Sequence, residues 1–223
     1  QNQLTLACFS GQRAGTTYLP KDRDAYVSEV SSNMKLAQQW GCTTVMVLTD
    51  PLDSNGHVTQ PHHDIPINKK VSQTIETLKA LIPLTLEHHV QVVLEPLNTK
   101  LDHPWYFLHQ AQTGFEIIRK VDHPNIKLLY DVYHMAMMGE PVLKHLKDHW
   151  ELIGHIHVAD MPGRHEPGTG EIPYKELFEI IDHSGYSGFV WFECRPAQDS
   201  AQALQSILQW FKAWFFMMGD YQL

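Results

Sequence analysis

The sequence predicts an α/β fold in which parallel strands alternate with helices along the whole chain. Three observations lead there. Six short apolar runs recur at helix-long intervals across the 223 residues. Most of these runs are continuously apolar, as expected of strands covered on both faces. The stretches between them carry the apolar spacing of amphipathic helices, and strand alternating with helix at this spacing defines βαβ units.

The elements follow in order. "LTLACFS" (4–10) reads as the first strand. A helix over 24–40 puts Val27, Val30, Met34 and Ala37 on one face, with Gly41 as its stop. "TTVMVLT" (43–49) is the second strand and 51–67 a long loop. A helix over 69–89 shows Val71, Ile75, Leu78 and Leu86, with Pro83 expected to kink or divide it. "VQVVLEPLN" (90–98), "IKLLYDVYH" (126–134), "LIGHIHVAD" (152–160) and "GFVWFEC" (188–194) complete the strands. Helices fit 108–121, 141–150, 173–184 and 198–217, and a second long loop spans 161–172. Pro173 suits a first helical turn and Gly185 a helix end.

Composition narrows the class. A chain of this length that is 43% apolar has material for one large core. A formal charge of −8 disfavours nucleic acid, which needs a broad basic surface. Cys8, Cys42 and Cys194 lie far apart with no CxxC, the pattern of reduced thiols in a cytoplasmic protein. No apolar run approaches the roughly 20 residues that span a bilayer, and no signal-peptide pattern is present. Two architectures remain, an open doubly wound sheet and a (β/α)₈ barrel. The open dinucleotide-binding sheet should carry GxGxxG after its first strand, whereas "FSGQRAG" reads as a plain loop.

The strand ends favour the barrel. Glu95 and Asn98 close the third run, Asp131 and His134 the fourth, His157 and Asp160 the fifth, and Glu193 the sixth with Arg195 just beyond. In a barrel these ends converge on one mouth. Taken singly, Glu95 or Glu193 reads as a loop acid, Asp131 as the N-cap of a following helix, and His134 or His157 as a satisfied core histidine. Four successive strands each delivering a carboxylate or imidazole at one level are harder to explain by packing, because a buried carboxylate is costly unless paired or metal-bound. His62, His63, His88 and His89 are expected on a solvated surface. His155 is expected to turn away from His157 and pack under a helix. Three oxygens and one imidazole nitrogen suit Mn²⁺ or Mg²⁺, with Co²⁺ or Zn²⁺ as further options.

"VLEPLN", "YDVYH", "HIHVADMPGRHEPGTGEI" and "GFVWFEC" together closely resemble the hydroxypyruvate isomerase group of the xylose-isomerase-like TIM barrels, over nearly the whole chain. The resemblance implies a divalent metal held by Glu95, Asp131, His157 and Glu193, with Glu95 and Glu193 as the catalytic acid/base pair and His134 and Arg164 contacting substrate oxygens. It implies an isomerase of a small hydroxy-carbonyl or sugar substrate, working through an enediolate. Hydroxypyruvate isomerases tend to have Gln where this chain has His157, and ketose 3-epimerases have His, so an epimerase is the alternative. "EPGTGEI" reads either as a glycine-hinged loop over the substrate or as a plain turn. Endonuclease IV, a DNA-repair hydrolase of the same superfamily, is a lesser fit: "VMVLTDP" lacks its His and 158–172 lack its Asp-x-His. A metal-binding module without turnover is the non-enzymatic alternative.

Matched to the family's motif order, the six strands are the third to the eighth of a barrel that takes about 250 residues. The expectation is therefore a single TIM-barrel domain over 1–223, N-terminally incomplete, with the first two βα units missing. Strands 4–10 and 188–194 would then flank a gap. The aromatic segment "LQWFKAWFFMM" would expose Trp210, Trp214 and Phe215 beside it, and the chain would associate into a homo-oligomer.

Overall fold

The structure is a computed structural model that describes residues 4–218, and for 211–218 the backbone alone. Six strands form one sheet in chain order, every neighbouring pair parallel: β1 (Phe9–Ser10), β2 (Thr44–Val47), β3 (Gln91–Leu94), β4 (Ile126–Asp131), β5 (Ile153–Val158) and β6 (Val190–Phe192). Helices α1 (Arg23–Gln39), α2 (Ile67–His88), α3 (Ala111–Val121), α4 (Val132–Met138), α5 (Val142–His149), α6 (Tyr174–His183) and α7 (Ser200–Met218) follow their strands. Among the described residues β1 and β6 each pair on one side only, so the sheet is an open six-stranded part of a barrel.

Period-two alternation divides each strand between two layers. Val92, Leu94, Leu128, Tyr130, Ile156 and Val158 face outward and join the helices in the main core. Val93 and Leu129 face inward and meet Cys8 and Met46 in a small inner cluster. The same parity carries Glu95, Asp131, His157 and Glu193 inward, one level nearer the strand C-termini. A β-strand repeat thus lifts four chemically active side chains onto one face, with a register shift against β5 at Leu128/Leu129 of β4.

Several expectations need correction. β1 is much shorter than 4–10. Phe9 pairs with Val45, so residues 4–7 run past the start of β2 at Thr44 and find no ladder partner. Leu4 is accordingly exposed. Pro83 does not divide α2, which runs unbroken from Ile67 to His88. Leu86 is exposed; the buried stripe runs instead through Leu81, Thr85 and His88. His88 is therefore a core residue rather than a surface one. Trp210 does not lie open beside the gap, for its ring packs on Tyr174 and Phe178 and its indole N–H donates to the Pro167 carbonyl at 3.0 Å. Trp214 and Phe215 lie outside the residues whose side chains are described. No helix among the described residues is long and apolar enough to cross a membrane.

Candidate active site

The inward-facing strand ends meet at the mouth of the sheet. One donor atom each from Glu95, Asp131, His134 and Glu193 lie within 4.8 Å of one another. His157 stands in the same group: its Nδ1 is 3.5 Å from Glu95 Oε1, 3.9 Å from Asp131 Oδ2 and 3.3 Å from Glu193 Oε2. Glu95, Asp131, His134 and His157 are buried, and only Glu193, on edge strand β6, reaches solvent.

The hydrogen bonds distinguish the two imidazoles. Asn98 Oδ1 accepts from the backbone N–H groups of Leu101 and Asp102, which fixes the amide with its nitrogen toward His134. Asn98 Nδ2 then donates to Asp102 at 2.6 Å and to His134 Nδ1 at 2.7 Å. Neutral His134 therefore carries its proton on Nε2 and presents a donor to the mouth. His157 has neither ring nitrogen in an aligned hydrogen bond, and Glu95 Oε1 is likewise buried without a partner. Buried polar atoms are rarely left so. Three carboxylates and an unpartnered imidazole around one point fit a hard divalent cation. His157 thus fits the ligand position and His134 the donor position.

Among the residues themselves, protons and Arg164 offset the carboxylate charge. Burial raises Glu95 to about 7, the nearby His157 pulling the other way. Burial also raises Asp131. His157 is held down by burial, yet Glu193 and Glu95 outweigh this and bring it up to about 10. Burial opposes ionisation of Glu193, but His157 and Arg164 overcome it and hold its carboxyl at about 2. Arg164 Nη2 donates to Glu193 Oε2 at 2.7 Å, and its guanidinium lies 5.1 Å from the centre of the Tyr133 ring. Tyr133 in turn donates to Asp102 at 2.9 Å.

Asp131 also holds the cap position suggested as its bland alternative: its Oδ1 accepts from the His134 backbone N–H at 3.1 Å and opens α4. Cap and cluster member are one residue, since one carboxylate oxygen serves each task. His155 corrects an expectation outright. Two residues apart in a strand means the same face, and the His155 and His157 rings sit 5.0 Å apart beneath the cluster.

Asp160, a strand-end acid, takes no part in the cluster. Its carboxylate accepts from the backbone N–H groups of Met161, Gly168, Gly170 and Ile172 at 2.8–3.1 Å, pinning the loop that carries Arg164. The Arg195 N–H donates to the Arg164 carbonyl at 2.7 Å, tying that loop to the end of β6. Asn98, Asp102, Tyr133 and Asp160 are the supporting residues that sequence reading did not assign. Asn98 and Asp102 carried a signal, an amide at a strand end with an acid four residues on; the role of Tyr133 depends on tertiary contact alone.

A parallel α/β barrel with a carboxylate–imidazole centre at its strand C-termini is the class that fold and site define. The chain belongs to the xylose isomerase-like TIM-barrel family, whose profile matches residues 1–214. It is 28% identical to the hydroxypyruvate isomerase of Escherichia coli over 196 residues, 88% of this chain and 72% of that protein. It is 40% identical to the 2-oxo-tetronate isomerase of Cupriavidus necator over 115 residues, 52% of this chain and 44% of that one. Among solved structures, an AP endonuclease of family 2 from Brucella melitensis superposes with a TM-score of 0.82, covering 92% of this chain and 78% of its own. At 22% identity that likeness speaks for the fold alone.

Proposed function

We propose that this protein is an isomerase of small hydroxy-carbonyl compounds, hydroxypyruvate isomerase-like, moving a proton between adjacent carbons through an enediolate. The observation that carries the reading is the pairing of two carboxylates, Glu95 and Glu193, across one mouth that also holds two positioned donors. The kinship with the E. coli and C. necator isomerases supports it.

The proton to be removed sits on a carbon beside a carbonyl. A divalent cation, Mn²⁺ or Mg²⁺, held by Glu95, Asp131, His157 and Glu193 would supply the Lewis acid that makes that proton labile. Glu193, ionised beside Arg164, takes a proton at its carboxylate oxygen, and Glu95, in the dry end of the site, serves the opposite face. His134 Nε2–H and Arg164 Nη2 donate to substrate oxygens and stabilise the negative charge that develops there. The Asn98 amide keeps His134 in the donor tautomer, and Asp102 with Tyr133 keeps Arg164 in place. His157 at the third ligand position favours ketose 3-epimerisation as the second reading, which uses the same proton chemistry. The enzyme works in the cytoplasm as a homo-oligomer in this proposal, with no nucleic-acid or membrane partner.

The test is deuterium uptake from heavy water into hydroxypyruvate and a panel of ketoses, followed by NMR with Mn²⁺ or Mg²⁺ present. Glu193→Gln should slow exchange by at least ~10²-fold and weaken Mn²⁺ binding. A variant that binds Mn²⁺ as tightly as the parent would refute the ligand assignment. Cleavage at abasic DNA with no sugar exchange would refute the reaction.

A further inference from the structure

A second cleft, of about 500 Å³, opens beside the loop that follows β3. Its walls come from the 51–66 loop, the first turn of α2 and the outer side of the 99–109 loop. His62, His63, Lys70, Trp105, Phe107 and His109 line it. The inner side of the same loop holds Asn98 and His103 against His134. The cleft is thus separated from the carboxylate cluster by one layer of chain.

Four independent features give it a chemical character. Lys70 is only 7% exposed, and its Nζ makes no ion pair or hydrogen bond among the described residues. Its Nζ rests 4.6 Å from the centre of the Tyr18 ring and 5.5 Å from that of Phe107. Asp50 and Asp64 act on Lys70 only through space, and the Asp50 carboxylate oxygens are taken by Tyr18 Oη, Thr49 Oγ1 and the Phe107 N–H. Second, His62 Nε2 is buried with no hydrogen-bond partner. Third, α2 begins at the cleft with no side-chain cap and no acid in its first turn; the N–H groups of Lys69 and Lys70 donate to the Pro66 carbonyl, which leaves those of Ile67 and Asn68 free among the described residues at the positive end of the helix dipole. Fourth, Trp105 stands at the lip, 64% exposed, with φ +71°, a backbone conformation that a bulky side chain rarely holds. In a chain of net charge −8, cationic and donor groups are gathered here beside an exposed aromatic face.

We propose that this cleft binds a small oxyanion, a carboxylate or phosphate borne on a flat apolar body, at a site separate from the metal-type cluster. The oxyanion meets Lys70 Nζ, His62 Nε2 and the first N–H groups of α2, as anions do at helix N-termini. The apolar body lies against Trp105 and Phe107.

Calorimetric titration of the full chain with inorganic phosphate and with benzoate tests this. Both should bind with a Kd on the order of 1 mM or tighter, benzoate more tightly. Lys70→Met keeps the apolar stem on Tyr18 and Phe107 and should weaken both at least ~10-fold. Trp105→Gly, which suits the backbone, should weaken benzoate and leave phosphate unchanged. Glu193→Gln should leave both unchanged. Loss of binding in Glu193→Gln would place the oxyanion at the carboxylate cluster and overturn the proposal. So would parent-like affinity in Lys70→Met, or, should that variant not fold, in His62→Phe. The absence of saturable heat with either anion would overturn it as well.

Discussion

His155 sits 1% exposed beneath the cluster, its Nε2 unpartnered, against the rings of His157 and Trp191. Burial, reinforced by His157, pushes its pKa down to about 3. An imidazole whose folded value lies below its unfolded value of about 6.5 takes up a proton first in the unfolded chain. Its stabilising contribution is complete above the unfolded value and is lost as pH falls from there toward 3. The loss is about 1.4 kcal/mol per pH unit, so on the order of 2–3 kcal/mol two units below the unfolded value. His155→Leu removes the titrating group and keeps the site filled. Urea midpoints measured between neutral and mildly acid pH should fall less steeply for the variant than for the parent. Equal slopes would show that His155 does not stay neutral in the fold. The residue also marks a limit of reading by pattern: "HIH" announces two histidines, and strand parity alone puts both on the inner face, but nothing local says that both carry ring nitrogens without a hydrogen-bond partner.

At the scale of elements, the loop from Asp160 to Ile172 is a built structure. A carboxylate at the end of β5 satisfies four backbone N–H groups, a number that local sequence could not announce because the donors are spread over twelve positions. "EPGTGEI" was ambiguous between a hinged lid and a turn for that reason; glycines are permissive in both. Here Gly170 is required by space: a Cβ would stand 2.2 Å from the Met161 carbonyl oxygen. Asp160→Ala leaves four N–H groups without their acceptor, at a cost of about 1–3 kcal/mol for each that water cannot reach. It should lower the unfolding midpoint and open 161–172 to proteolysis, and, with Arg164 no longer held, reduce activity. Gly170→Ala should reproduce the proteolytic opening. Resistance of both variants to cleavage in this loop would remove Asp160 from its role. The strands and helices themselves were legible from apolar periodicity, and the strand-end quartet from its level. Strand lengths were overestimated wherever an apolar run outlasts its ladder, as at residues 4–7, because pairing rather than hydrophobicity ends a strand.

For the whole molecule, the open sheet sets the energetics. β1 and β6 each offer an unpaired edge among the described residues, and the inner face near β6 shows Phe189 and Trp191 at 46% and 45% exposure. Leu4 and Leu6 add apolar surface at the other edge. Closed barrels have no such edges, and unpaired edges beside apolar side chains are templates for association. The same opening accounts for the exposure of Glu193, a member of the cluster, on the outermost strand. The expected outcome is that this chain self-associates through the open side, so light scattering should report a mass above that of one chain, rising with concentration. Phe189→Lys puts a charge on the β6 side of the opening, away from the cluster, and should shift the distribution toward monomer without unfolding it. If β6 is ordered by the partner, the oligomer should also bind Mn²⁺ more tightly than the monomer, because Glu193 is then held in place rather than facing water. A chain that stays monomeric at all concentrations while unfolding in one cooperative step would show that the six-stranded sheet is self-sufficient, and the association argument would fall with it.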